Sequence, residues 1–418
     1  MSEMTAMTAM TAMTAMTAMT AMTGRGQSSL SSLTGLYGDP VVTDALISSR
    51  ARNTPEVKNG DPVWEPARAG EFATDELPGF NKVEHLGWWQ PETRAHICAQ
   101  ALSRNLAFEV DSVNEVVTLH HTAAVAIDAN WLTAEQVAAW TALLSSDGKL
   151  SLGRRLLVVS IQRPKRGVFD SQLDKVIACA NSDLRRSRAN EVQAQVLPQV
   201  PFWSSVVPLS PWRTPNTYEF LAVALTFCNQ VCHGFKHALA VSRPAELSPL
   251  VQPILQTPGW AAFPSGHATE AFLVARLIPG LLEQAPGKSP LWTTLQRQAA
   301  SIADNRVYAG LHYPVDGIAG RLLGHTLAEY VMALAGAGTG RWVGRSFDGN
   351  AAGLADADLD LHQPLTENFV PSSGSSSAAD SVAANPILQE MWHRARVELA
   401  GLGFGSVPAR STSAQAPE

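Results

Sequence analysis

The 418-residue chain is short of several things, and each shortage excludes a class of protein. Four cysteines (Cys98, Cys179, Cys228 and Cys232) with no CxxC pair exclude a disulfide scaffold and a zinc ribbon. Charged residues make up 16%, well under the usual quarter, while 45% are hydrophobic. Such a chain can bury one large core or two ordinary ones. There is no basic excess: the net charge is −6, the reverse of what a general nucleic-acid binder carries. Uninterrupted apolar runs are missing too. The best stretch, Phe220 to Phe235, contains Asn229, Gln230 and His233. The next two are broken by Arg276, or by His325 and Glu329, so all three read as core helices and no membrane span is expected. A basic start followed by an apolar block is also absent, which argues against a secretory signal and for a cytoplasmic protein with reduced thiols.

What is present begins with an oddity. Eight of the ten methionines lie in the first 22 positions, in a Met-Thr-Ala repeat from Met4 to Thr23. A period of three fits neither helix nor strand, so the repeat reads as a disordered tail. Residues 24–60, rich in Ser, Gly and Thr, read as a lead-in. Thr133 to Leu144 has a helix cap and acidic or amide residues in its first turn. Leu156 to Ile161 is a short apolar run that fits a strand or a buried helix end. Asp174 to Glu191 reads as one amphipathic helix. Arg163, Lys165 and Arg166 read as a solvated basic loop, with a phosphate-attracting patch as the sharper alternative.

After a Pro-studded connection from Val200 to Pro215 the chain turns strongly helical. Helices are expected at Thr217–Val241, Gly266–Leu282, Leu291–Val307 and Val315–Ala335. A Pro-rich loop spans Pro244 to Pro264. Beyond 340 the composition is Gly-, Ser- and Asp-rich, particularly Pro371 to Ser381, with a late amphipathic segment, Pro386 to Ala400, that could dock on the body. Asp356, Asp358 and Asp360 alternate as in a calcium loop, but the Gly and closing Glu of that motif are missing. The division is therefore 1–35, a low-complexity tail; 36–205, an N-terminal region of unknown role; 206–340, a helical core; and 341–418, a mostly flexible tail with one helix. The fold class is mainly α, a helical bundle preceded by a less regular N-terminal region.

Three clusters in the helical region carry the chemistry. Lys236 and Arg243 lie seven apart, two helical turns, and face the same way. Pro264-Ser265-Gly266-His267 opens a helix. Arg306, His312 and Asp316 form the third. Singly, each has an ordinary reading: a solvated face, a turn with a cap, a surface pair. Together they supply three cations, a hydroxyl and free amides at a helix start, and two histidines, one with a carboxylate nearby. A tetrahedral oxyanion needs such a set, because Lys and Arg neutralise its oxygens and a helix N-terminus donates N–H groups to them.

These clusters are similar, in order, to the KxxxxxxRP, PSGH and RxxxxxHxxxD motifs of the phosphatidic acid phosphatase type 2 and vanadium-dependent haloperoxidase superfamily. Lys236, Arg243, Pro244, Pro264, Ser265, Gly266, His267, Arg306, His312 and Asp316 fill every fixed position. One departure is Asn305, where the third motif often has Ser before its Arg. The resemblance covers about residues 217–335. It implies a four-helix core with the site at one end. It implies that His312 attacks phosphorus or ligates vanadium, that Asp316 fixes the His312 tautomer, and that His267 protonates the leaving oxygen. Lys236, Arg243, Ser265, Gly266 and Arg306 would bind the phosphate or vanadate oxygens. His233, Trp260, Phe263 and Tyr313 are placed at the pocket wall, and His120 and His121 are taken as structural.

The expected function is a phosphate-ester hydrolase of acid-phosphatase type working through a phosphohistidine, with no cofactor and a small phosphorylated or other anionic substrate. Compact spacing favours it: 38 residues separate His267 from Arg306, and 19 separate Pro244 from Pro264. The alternative is a vanadate-dependent haloperoxidase with vanadate on His312, for which Trp260, seven residues before His267, would shape the halide site. A non-catalytic anion binder would lack a site residue, and none is missing. Homo-oligomerisation is left open.

Overall fold

A computed structural model describes residues 91–128, 149–196, 199–284, 286–287, 289–338, 340–358 and 382–403. The Met-Thr-Ala repeat, the 24–60 lead-in, the Thr133–Leu144 helix, Asp360 and the Pro371–Ser381 stretch lie outside the described residues.

The fold is mainly α. Chain order runs α1 (Pro91–Ser103), β1 (Leu106–Asp111), β2 (Val116–Asp128), β3 (Lys149–Gln162), α2 (Arg166–Ala180), α3 (Asp183–Ala194) and α4 (Val200–Ser204). The bundle follows: α5 (Pro215–Leu239), α6 (Pro244–Leu247), α7 (Gly266–Leu281), α8 (Pro290–Tyr308) and α9 (Pro314–Leu334). Then come β4 (Arg345–Phe347), a 3-10 turn (Leu354–Asp356) and α10 (Pro386–Gly401). Among the described residues no helix is long and apolar enough to cross a membrane.

Four long helices build the core, and their ends are written in the sequence. α5 starts on Pro215 and stops where Ala240 turns left-handed (φ 47°), two residues earlier than the pattern predicts. α7 and α8 open on Ser265 and Ser289, whose side chains accept from the amides of Ala268 and Trp292. Each cap satisfies one of the amides that a helix start leaves over. α9 opens on Pro314, where a missing N–H costs nothing.

α7 lies at the centre and packs on α5, α8 and α9. Its approach to α9 depends on two glycines. A Cβ on Gly320 would meet Ala268 Cβ at 2.7 Å and Ser265 O at 2.8 Å, and one on Gly324 would stand 2.9 Å from Leu273 N. Absent side chains thus let two backbones touch, and the start of α7 comes to rest on the start of α9.

The region before the bundle contains a sheet that the sequence pattern did not reveal, in the order β1-β2-β3-β4. β1–β2 and β2–β3 are antiparallel and β3–β4 is parallel. Leu156–Ile161 is therefore a strand rather than a helix end. β2 does alternate, with Val117, Leu119 and His121 buried, but a histidine at the third inward position hides the pattern. His121 Nδ1 meets Tyr330 Oη at 2.9 Å, the structural role expected of it.

Two further expectations need amendment. The single helix over Asp174–Glu191 is two, α2 and α3. The side chains of Asn181 and Ser182 donate to the last carbonyls of α2, at Ile177 and Cys179, and end it there. The basic cluster is the solvated loop expected, with Arg163 paired to Glu115 and Arg166 to Asp170 at 2.6 Å on the surface. Beyond 340 the chain contributes β4 to the sheet, where Arg345 pairs with Glu329 at 2.9 Å and Trp342 is buried against Leu157 O. The late helix α10 does dock on the body. Glu398 accepts from the amides of Asn216 (3.0 Å) and Thr217 (2.8 Å) and from both their side chains, capping α5.

Candidate active site

The three clusters converge at one end of the bundle. Lys236 comes from the last turn of α5, Arg243 from the link to α6, and Ser265, Gly266 and His267 from the start of α7. Arg306 lies in the last turn of α8, and His312 and Asp316 flank the start of α9. A hydrogen bond from Ser265 N to Asp316 O, 2.9 Å, joins two of the motifs directly. Lys236, Arg243, Ser265, Arg306, His312 and Asp316 are all buried.

The protonation of His312 follows from its partners. Nε2 lies 3.0 Å from Arg243 NH1, and a guanidinium can only donate. Nε2 therefore holds the lone pair and Nδ1 the hydrogen. Nδ1 donates to Asp316 Oδ2 at 2.8 Å, and the same oxygen accepts from Tyr313 N at 3.0 Å. Burial first, then the positive charge of Arg243, hold the His312 imidazolium well below its usual range, so the ring is neutral. Burial also pushes the Asp316 carboxyl above the usual carboxylate range, opposed by the Tyr313 amide and the charges of Lys236 and Arg243.

His267 is fixed the other way round. Its Nε2 is 3.1 Å from the Gln195 carbonyl, so Nε2 carries hydrogen and Nδ1 is the free nitrogen. Burial, and then Arg306, lower its pKa to about 3. A bound anion would act in the opposite sense and raise it.

The cations are anchored mainly by carbonyls. Lys236 Nζ donates to Ala261 O and Ala262 O, both at 2.9 Å, which leaves one of its three hydrogens over. Arg243 donates from Nε to Trp260 O (3.0 Å) and from NH1 to Leu311 O (2.8 Å). Burial draws the Lys236 ammonium below the usual lysine range and the Arg243 guanidinium down to about 10. Arg306 donates from NH2 to Val192 O (3.0 Å) and Gln195 Oε1 (2.9 Å), while its Nε and NH1 are buried with no hydrogen-bond partner among the described residues. Buried guanidinium N–H groups are costly to leave unpaired. An anion with several oxygens would satisfy them.

Of the four residues expected at the pocket wall, His233 is half-buried and Trp260 exposed. Trp260 is 37% exposed and meets His233 edge-on at 5.5 Å. Phe263 and Tyr313 are fully buried and pack with Phe169 behind the site. The peptide between Phe263 and Pro264 is cis. Cys228 and Cys232 are free, buried thiols, as their spacing on one core stripe suggests.

Two residues next to the site were not foreseen. Glu270, one turn after His267, accepts from Asn229 Nδ2 at 2.9 Å, and burial raises it to about 7. A carboxylate in the apolar run of α7 was the available clue. Gln195, before the bundle, offers no clue in the sequence. No group of three metal-ligating side chains occurs among the described residues.

Residues 218–338 match the family model of the PAP2 superfamily. No curated protein matches the chain. Among solved structures the chain is similar to a bacterial vanadium-dependent iodoperoxidase, with 18% identity over 40% of this chain and a TM-score of 0.30. The match spans 46% of that protein, less than half its length.

Proposed function

From the match of residues 218–338 to the PAP2 superfamily, which includes phosphatases and vanadium haloperoxidases, we propose that the chain is a phosphate-ester hydrolase acting through a phosphohistidine on His312. The observation that carries this reading is the His312 tautomer: the lone pair of Nε2 faces Arg243, and Nδ1–H is bound to a buried carboxylate.

A phosphoryl group bound by Lys236, Arg243, the unpaired N–H groups of Arg306 and the first amides of α7 would present its phosphorus to Nε2. The P–N bond forms as the P–O bond to the leaving alcohol breaks. A phosphate monoester bound as its monoanion can first pass its proton to His267 Nδ1; the leaving oxygen takes that proton as the P–O bond breaks, and Asp316 stabilises the positive charge gained by His312. In the second half, His267 accepts a proton from water, the hydroxyl attacks phosphorus, and the P–N bond breaks to release phosphate. The same donors fit vanadate, whose oxygens would take the unpaired Arg306 groups while His312 Nε2 supplies the ligand. Trp260, exposed beside His233, favours that haloperoxidase reading as the second one.

Assays with p-nitrophenyl phosphate, and separately with vanadate, peroxide and bromide plus a halogen-trapping dye, distinguish the two. Phosphate release that vanadate inhibits, abolished in His312→Ala, is the expected result. Bromination only after vanadate loading would replace it with the second reading. Full activity in His312→Ala would refute the mechanism.

A further inference from the structure

Two of the site's side chains are held by one residue outside the matched segment. Gln195 caps the C-terminal end of α3 and is fully buried. Its backbone carbonyl accepts from His267 Nε2 at 3.1 Å. Its side-chain Oε1 accepts from Arg306 NH2 at 2.9 Å and from Asn305 Nδ2 at 3.1 Å. Its Nε2 donates to Glu191 Oε1 at 2.9 Å, and Ser301 of α8 donates to the same Glu191 oxygen at 3.2 Å. Both polar atoms of the Gln195 side chain are thus engaged, and the network ties α3 to α8.

The direction of these bonds gives them a purpose. Arg306 has five N–H groups. Gln195 and the Val192 carbonyl take NH2, leaving the buried Nε and NH1 unpaired. With both hydrogens of NH2 held, the guanidinium plane is fixed, and Nε–H and NH1 are left as separate donors for the oxygens of an anion. An amide acceptor does this without cancelling charge, as a carboxylate in its place would. Through its carbonyl, the same residue assigns the hydrogen of His267 to Nε2 and leaves Nδ1 free.

We propose that Gln195 is a positioning residue that orients Arg306 and His267 for anion binding and proton transfer, so that the segment preceding the matched region completes the site. This rests on the reading of the three clusters as an oxyanion site, and the experiment separates the two. Binding of inorganic vanadate to the full-length chain is measured by titration calorimetry for the parent, Gln195→Met, Arg306→Ala and the double variant. Met keeps the length of Gln and removes the acceptor; far-UV circular dichroism and melting check the fold. Should Gln195→Met not fold, Gln195→Asn, one methylene short of reaching Arg306, takes its place in the same cycle.

One bond to a charged group corresponds to about a ten- to hundredfold loss of vanadate affinity in Gln195→Met. In the Arg306→Ala background the same substitution should cost less than about twofold, because its target is gone. An equal loss in both backgrounds, or parent-like binding by Gln195→Met, overturns the proposal while leaving the oxyanion site standing. A parent chain that binds no vanadate overturns both.

Discussion

Replacing Asp316 by Asn removes one charge from the candidate site and little else. The side chains are nearly isosteric, and the amide oxygen can take the place of Oδ2, accepting from His312 Nδ1 and Tyr313 N as before. The amide nitrogen then takes the place of Oδ1, which has no hydrogen-bond partner among the described residues. The tautomer of His312 survives. What is lost is attraction to the positive charge that the imidazole acquires as Nε2 bonds to phosphorus. Taking the charges about 4 Å apart at an effective dielectric of about 20, that attraction is worth about 4 kcal/mol. It acts in the transition state and not on bound substrate, so it should appear in kcat as a loss of about a thousandfold. KM should stay level or fall, because a negative charge has left the neighbourhood of Lys236 and Arg243. Steady-state kinetics with p-nitrophenyl phosphate read both terms. A raised KM with kcat intact would mean that Asp316 serves binding rather than the charge on His312, and the reasoning would fail.

Other consequences can be tested alongside it. The Lys236 ammonium is drawn below the usual lysine range, so its charge is present at low pH and lost on the alkaline side earlier than for an exposed lysine. Vanadate affinity should therefore weaken on that side, and Lys236→Arg should move the loss to higher pH. Gly324→Ala would push a methyl against the α7 backbone and should cost about 1–3 kcal/mol, seen as a lower Tm in calorimetry. Glu398→Ala strips the α5 start of its carboxylate cap and should cost about 1.5–3 kcal/mol by urea titration, with early exposure of Trp392 fluorescence as α10 detaches.

The helices of the bundle were legible in the sequence because their punctuation is strong: Pro215, Ser265, Ser289 and Pro314 each occupy a position where a helix start needs them. The motif residues were legible through their resemblance to the three family motifs; spacing alone misplaced Arg243, which stands in the link beyond the end of α5 at Leu239 and not on the helical face of Lys236. The sheet was not, because its inward alternation runs through His121. Gln195 was not legible either. Its importance lies in three contacts distant in sequence, and an isolated glutamine at a helix end carries no pattern. Phe263 and Tyr313 show the limit of neighbourhood as evidence: each adjoins a motif residue, yet its ring turns into the Phe169 cluster.

The bond between Arg243 and His312 has a consequence for selectivity. Nε2, the nitrogen that must do the bonding, already accepts from a buried cation. An electrophile can reach it only if something else takes that N–H. An oxyanion does so, because its oxygens offer Arg243 a better acceptor than an imidazole. A neutral alkylating or acylating reagent has nothing comparable to offer. The arginine thus works as a guard that steps aside for negative charge, and His312 should resist reagents that modify ordinary histidines until an anion occupies the site.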